Sequence, residues 1–191
     1  MDAFRILSFP QVFRAAAAWL KTPAGGVAVL IFATFLARLL FASALGLGVD
    51  ESYMVAVGRK LQLSYFDHPP IGWWMARAAA HLTGSESAVV VRLPFIALFA
   101  VTTFLMYRLT SALFSSEAGF WAAVVLNLTP LFGITSASWV LPDGPLLAAL
   151  LGAAVCLVAA LRSEGPAAWG WWLGTGMCAG LSLCVRNIPR C

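Results

Sequence analysis

The sequence predicts an all-α integral membrane protein with about five transmembrane helices. Of its 191 residues, 61% are hydrophobic and 10% are charged, and the mean hydropathy is +0.88. A water-soluble domain carries roughly 25% charged residues, so this composition disfavours a soluble enzyme and excludes a disordered chain. Because backbone groups in lipid must be paired within the chain, apolar spans form helices of about 20 residues. The five candidate runs are residues 27–47, 88–109, 118–136, 142–161 and 168–185.

The spans divide the chain into three parts. Residues 1–26 interleave basic and aromatic side chains, which indicates an amphipathic segment lying on the membrane surface. Residues 27–185 form the membrane domain, and residues 48–87 are its one long loop. Residues 186–191 end abruptly after the fifth span. We therefore expect this chain to represent the N-terminal portion of a longer, truncated or frameshifted protein.

The charge and cysteine content restrict the kinds of partner and metal ligand that the chain could provide for. The net charge of +4 arises from 12 Lys and Arg against 8 Asp and Glu, and these residues are scattered. This pattern suits contact with membrane lipids and lacks the clustered basic face that a nucleic acid requires. The four cysteines form no CxxC pair and the chain has two histidines, so no metal ligands are assigned.

The long loop is predicted to form two interfacial helices rather than an irregular connection. Asp50 suits the N-cap of the first helix, and Glu51 suits the positive end of its dipole. The second helix follows Pro70, and its Trp73 and Trp74 suit the depth of the lipid headgroups. We expect this loop to form a lid or floor that carries carboxylates at the edge of the bilayer.

Three carboxylates are candidates for chemistry. Asp50 and Glu51 follow the first span, where a lipid-linked substrate would meet a polar acceptor; the alternative is a solvated helix start. Adjacent helical residues diverge by about 100°, so one would act on the substrate and the other would bind or orient it. Asp143 lies in a short apolar hairpin that does not require a charge, although it could serve only as an N-cap.

Two arginines and one Asp–His pair are further candidates. Arg38 lies near the middle of the first span, where a charge costs roughly 2.5–3.5 kcal/mol on insertion scales. It and Arg92, early in the second span, could hold an anionic headgroup, although Arg92 could instead snorkel to the interface. Asp67 and His68 could orient an acceptor or bind a divalent ion, but two residues do not make a metal site.

Four short motifs occur in order, at residues 50–53, 65–70, 91–94 and 142–143. Together they resemble the membrane glycosyltransferases of the protein O-mannosyltransferase and aminoarabinose-transferase type, which have the GT-C fold. The resemblance covers about residues 38–186. It implies that Asp50 is the catalytic base, that Asp143 is a second active-site carboxylate, and that the acidic face is extracytoplasmic.

The resemblance also implies the reaction and its partners. The donor would be a sugar linked to a polyprenyl phosphate, and the acceptor a hydroxyl of a lipid such as lipid A, of a protein or of a glycan. The expected location is a bacterial inner membrane. No cofactor is assigned, and a divalent metal ion is left open. The residues expected to bind substrate are Glu51, Tyr53, Arg59, Lys60, Asp67, His68 and Arg92.

Two other classes of function stay open. The short chain favours a non-catalytic membrane subunit or a pseudo-enzyme fragment, in which the transferase reaction would be absent. Arg38 within a span would suit a small transporter, but a transporter of this kind predicts an internal repeat. The long loop has no counterpart later in the sequence, which disfavours this alternative.

Overall fold

The computed structural model describes residues 17–63, 65 and 70–183, and over these residues the fold is all-α, without strands. In chain order the elements are α1 (Pro23–Ala44), α2 (Val49–Gly58), α3 (Ile71–Thr83), α4 (Ala88–Leu113), α5 (Ser116–Leu128), a π-helical segment (Leu131–Ser136), α6 (Asp143–Arg162) and α7 (Pro166–Leu183). Helices α2 and α3 lie in the long loop, and the other helices form the bundle.

Three of these helices, α1, α4 and α6, are long and apolar enough to cross a membrane. The predicted class, an all-α membrane protein, is therefore confirmed. The third predicted span is divided at Pro130, which has no backbone N–H to continue the helix. It consists of the 13-residue α5 and the six-residue π-helical segment. The fifth is α7, where tryptophan and glycine dilute the apolar character. The count of five spans stays a prediction.

The central helix of the described bundle is α4, which packs against α1, α3, α5 and α6. One face of α4 is buried along most of the helix, and this face consists of Val91, Arg92, Phe95, Ile96, Phe99, Thr102 and Thr103. The hydroxyls of the two threonines donate to backbone carbonyls one turn earlier. The face thus carries one charged side chain, Arg92, near the start of the helix, and its two polar threonines are hydrogen-bonded.

The two helices predicted in the long loop are present as α2 and α3, which pack against each other. The expected N-cap is wrong by two residues, because Gly48 is the N-cap and Asp50 lies inside the first turn. The reason is the side chain of Glu51, whose Oε2 accepts a hydrogen bond from the Gly48 N–H at 2.9 Å. This bond is half of a capping box and fixes the start of the helix.

Trp73 differs from the expectation that it anchors α3 among headgroups, because it is fully buried. Its ring stacks on Tyr65 with a centroid separation of 4.5 Å and meets the edge of Tyr53 at 5.6 Å. Around it lies an apolar cluster that also contains Phe95 and Val140. Trp74 is partly exposed, as an interfacial position requires. The cluster joins the loop helices to α4 and to the connection before α6.

The connection between the π-helical segment and α6 is buried, and a glycine permits its close packing. Helix α6 begins at Asp143, with Pro142 as its N-cap, so Asp143 is not the cap that was expected. Gly144 follows at a close approach to the carbonyl oxygen of Ser136, since a Cβ atom there would lie 2.6 Å from that oxygen. A larger residue at this position must displace the backbone.

We expect Gly144→Ala to lower the melting temperature of the detergent-purified protein, because the added methyl group would overlap a backbone oxygen. Overpacking of this kind costs about 1–3 kcal/mol. The matched control is Gly176→Ala, which replaces a helical glycine with open space around its Cβ position. The control should leave the melting temperature unchanged or raise it, because alanine favours helix. Equal melting temperatures for the two variants would contradict the close contact.

Candidate active site

A buried ion pair lies where the end of α1, the start of α2 and the first turns of α4 meet. Arg92 Nε donates to Glu51 Oε1 at 2.8 Å, and Arg92 Nη2 donates to Glu51 Oε2 at 2.5 Å. Each side chain is 3% exposed. The planar guanidinium and the carboxylate thus form a two-pronged contact, which is the geometry that arginine favours with carboxylates.

Backbone groups complete the bonding of both partners. Arg92 Nη1 donates to the carbonyl of Leu45 at 2.9 Å, and Nη2 donates to that of Gly46 at 2.8 Å. Glu51 accepts from the N–H of Gly48 and, at 3.1 Å, from that of Val140. The pair therefore ties the α1–α2 connection to α4 and to the segment before α6.

These contacts set the protonation of Glu51. Burial by itself would raise the pKa of this carboxyl, but the hydrogen bonds from Arg92, Gly48 and Val140 and the charge of Arg92 outweigh burial and lower the pKa below its usual 4.5. Glu51 is therefore an anion at neutral pH. Because its two oxygens accept bonds from four donors, it has little capacity left to accept a proton from a substrate.

A cavity of about 530 Å³ opens beside the ion pair. The charged residues of its lining are Asp50, Glu51 and Arg92, and the other lining residues are apolar. Asp50 is exposed, and in the described part of the chain its carboxylate has no hydrogen-bond or ionic partner. The cavity thus contains one carboxylate without a partner among the described residues, that of Asp50, and one whose charge is balanced by Arg92, that of Glu51. Its lining residues are Phe41, Leu45, Gly46, Leu47, Gly48, Val49, Asp50, Glu51, Arg92 and Trp139.

Asp143 is close in sequence to Trp139, which lines the cavity, but Asp143 itself does not line it. It is exposed at the first position of α6, three residues after Val140, whose N–H donates to Glu51. Its neighbours Gly144 and Pro145 are buried. The structure thus brings the start of α6 to the ion pair, and the role of Asp143 as a second active-site carboxylate stays a prediction.

The other residues expected to bind substrate lie outside the cavity lining or outside the described residues. Arg59 forms an exposed ion pair with Glu86, Nη2 to Oε2 at 2.6 Å. Lys60 is exposed at the end of α2, and its carbonyl accepts from Tyr65. Tyr53 is partly exposed and contacts Trp73. Asp67 and His68 lie outside the residues that the structure describes, so their roles stay predictions.

Arg38 is anchored by partners that the sequence did not indicate. Its Nη2 donates to Asn127 Oδ1 at 3.0 Å, and both Nε and Nη2 donate to the carbonyl of Gly133 at 3.2 Å. Asn127 in turn donates to Thr103 Oγ1 at 3.1 Å. In the sequence, the polar Asn127 inside an apolar run, followed by Pro130, could have indicated a polar site within the membrane. The hydrogen bond from Arg38 to the Gly133 carbonyl could not have been predicted, because it depends on tertiary structure.

No cluster of three or more His, Cys, Asp or Glu side chains that could hold a metal ion occurs within residues 17–63, 65 and 70–183. The carboxylates of the cavity are two neighbours on one helix turn, and Glu51 is already bonded to Arg92. Asp67 and His68, which the sequence left open as a contact for a divalent ion, lie outside these residues.

The fold and site define a membrane protein with a carboxylate cavity at the end of its spans. A family model described as dolichyl-phosphate-mannose-protein mannosyltransferase matches residues 67–188. Since this is more than half of the chain, the protein belongs to that family, which is one of membrane glycosyltransferases of the GT-C type. The expected resemblance is thus confirmed. The match includes Arg92 and Asp143 but begins after Asp50. No curated protein and no solved structure shows significant similarity to the chain.

Glu51→Ala should destabilise the protein strongly, because it leaves the buried Arg92 without its counter-charge. Removing one member of a buried ion pair costs about 3–5 kcal/mol, which we expect to appear as a large drop in melting temperature in detergent. The control is Glu86→Ala, which removes a carboxylate from the exposed pair with Arg59. Exposed pairs contribute little, so a comparable drop for both variants would contradict this assignment.

Stability should also fall in acid through Glu51. Its pKa is lower in the folded protein than the ordinary 4.5, so its contribution is complete above pH 4.5 and is lost as the pH falls through the folded value. Melting temperatures measured from pH 7 to pH 3 should decline more steeply for the wild type than for Glu51→Gln, which cannot titrate there. Parallel profiles would exclude Glu51 as a source of acid sensitivity.

Proposed function

We propose that this protein is the acceptor-activating part of a membrane glycosyltransferase that moves a sugar from a polyprenyl phosphate to an acceptor hydroxyl. The observation that carries the proposal is the cavity beside the ion pair, where Asp50 is exposed and unbonded among the described residues. A carboxylate in this state can accept a proton. Membership of the glycosyltransferase family supplies the class of reaction.

In the proposed reaction the acceptor oxygen attacks the anomeric carbon of the donor sugar. A new carbon–oxygen glycosidic bond forms as the bond from that carbon to the phosphate oxygen breaks, and the phosphate leaves with the electron pair. The proton of the acceptor hydroxyl passes to Asp50, which acts as the general base. A positioned base typically accelerates such a step by about 10²- to 10⁴-fold.

Glu51 and Arg92 have a different role in this proposal. Glu51 is buried, ionised and bonded by four donors, and Arg92 uses its donors on Glu51, Leu45 and Gly46. We assign them as positioning residues that hold the start of α2, and with it Asp50, against the cavity. Their predicted contact with substrate is not needed for this role.

The cavity wall formed by residues 45–49 and Trp139 suits an amphiphilic donor. The apolar side accommodates the first part of an isoprenoid chain, and the carboxylate side accommodates a sugar. Asp143, at the nearby start of α6, is proposed as a second carboxylate that binds a sugar hydroxyl. The acidic face of the protein is proposed to be extracytoplasmic, with the acceptor reaching Asp50 from that side.

Asp50→Asn should abolish transfer of a labelled sugar from a polyprenyl-phosphate donor, with a loss of about 100-fold or more, because the amide cannot take the proton. The assay uses membranes that contain the expressed chain, donor labelled in the sugar, and extraction of labelled acceptor. The matched control is Glu164→Gln, at an exposed carboxylate in the α6–α7 connection. Its activity should equal that of the wild type.

The same assay separates the alternatives. Full transfer by Asp50→Asn, with the wild type active, would refute the role of Asp50. A wild-type chain that is folded and membrane-inserted but transfers no sugar would favour a non-catalytic subunit. Folding is checked independently by the melting temperature, which the exposed Asp50 should not affect.

A further inference from the structure

Two cysteines face each other where α6 packs against α7. These helices are in contact and are joined by residues 163–165. The thiols of Cys156, in α6, and Cys178, in α7, form a hydrogen-bonding contact with each other. Both cysteines are free, and each is half-buried. Neither lines the cavity beside Glu51 and Arg92, so this pair of thiols is separate from the candidate active site.

A glycine lies opposite each cysteine and permits the close approach of the two helices. Gly152 precedes Cys156 by one helical turn, and Gly174 precedes Cys178 by the same spacing. A Cβ atom on Gly152 would lie 3.2 Å from Cys178 Sγ, and one on Gly174 would lie 3.1 Å from Cys156 Sγ. These reciprocal contacts define an antiparallel register. Because small residues at a membrane helix interface let the backbones approach closely, the register keeps the two sulfur atoms within reach of each other.

Both thiols also line a second cavity, of about 490 Å³, between α3, α4, α6 and α7. The other lining residues are apolar and include Met75, Leu98, Leu105 and Trp171. This volume falls in the range of about 300–1,000 Å³ that small-molecule sites occupy. An uncharged reagent of low molecular weight can therefore reach both sulfur atoms, whereas the lining disfavours a charged one.

We propose that Cys156 and Cys178 are a thiol–disulfide exchange site, at which an uncharged small-molecule disulfide oxidises the pair to a disulfide that joins α6 to α7. One cysteine sulfur gives up its proton and attacks a sulfur of the reagent, which forms a mixed disulfide and releases the first reagent thiol with that proton. The other cysteine sulfur then attacks the protein sulfur of the mixed disulfide, and the second reagent thiol leaves with the second proton. The two cysteine thiols are oxidised, and the reagent disulfide is reduced to two thiols.

The apolar surroundings favour this product over the other reactions of two adjacent thiols. A disulfide is uncharged, whereas a thiolate, or a monovalent metal ion held by two thiolates, carries a charge that an apolar cavity disfavours. In the described part of the chain, no third His, Cys, Asp or Glu side chain joins the pair in a group that could hold a metal ion. The site goes beyond the proposed function, because it takes no part in the proton transfer at Asp50.

The test treats the detergent-purified full chain with dithiodipyridine, an uncharged disulfide, and identifies linked tryptic peptides by mass spectrometry. Cleavage after Arg162 separates the two cysteines, and Cys184 and Cys191 are replaced by alanine so that Cys156 and Cys178 are the only thiols. We expect a disulfide-linked pair of peptides without a retained pyridyl group. The matched control carries Cys178→Ala and Cys191→Ala and keeps Cys184, which lies in the same tryptic peptide as Cys178. It should keep a pyridyl group on Cys156 and form no link.

The melting temperature gives a second measurement on the wild-type chain. Oxidation should raise it by several degrees, because a disulfide constrains the unfolded chain, and a reductant should reverse the rise. Cys156→Ala should show no such rise, and this comparison decides the matter should the chain with two alanines fail to fold. Pyridyl groups retained on both cysteines of the folded protein, equal linking in the control, or a melting temperature that oxidation leaves unchanged would overturn the proposal.

Discussion

The rest of the structure depends on one desolvated charge pair, Glu51 with Arg92. Burying two charges away from water is unfavourable unless their geometry is good and their remaining donors and acceptors are bonded. Both conditions are met here, because backbone carbonyls of the α1–α2 connection and the N–H groups of Gly48 and Val140 complete the set. Three segments that are distant in sequence are thereby held at one point. The free carboxylate of Asp50 takes its position from this junction.

A second constraint is the break in the third apolar run. Pro130 cannot continue the hydrogen bonding of α5, and a π-helical segment follows it. Arg38 donates two N–H groups to the carbonyl of Gly133 in this segment. These bonds stabilise the intramembrane arginine, since a charge without partners is unfavourable in lipid.

Much of the candidate site was predictable, but the division of roles within it was not. The position of Asp50 and Glu51 after the first span, and the amphipathic pattern of the loop, indicated carboxylates on short helices near the membrane. Sequence placed Glu51 and Arg92 among the residues that contact substrate. In the structure they contact each other, and their burial leaves Asp50 as the carboxylate that a substrate can reach. Trp73 was likewise expected at the surface and is packed in an apolar cluster.

The sequence by itself determined the class of the fold, because long apolar runs in lipid can satisfy their backbone only as helices. It also determined the family, through motifs in a fixed order, and the presence of α2 and α3 in the long loop. Only the tertiary structure decided that the third run is interrupted, that Glu51 and Arg92 are partners, and that Arg38 bonds to Gly133. These pairings join residues between 41 and 95 positions apart, and local periodicity carries no information on contacts over that distance.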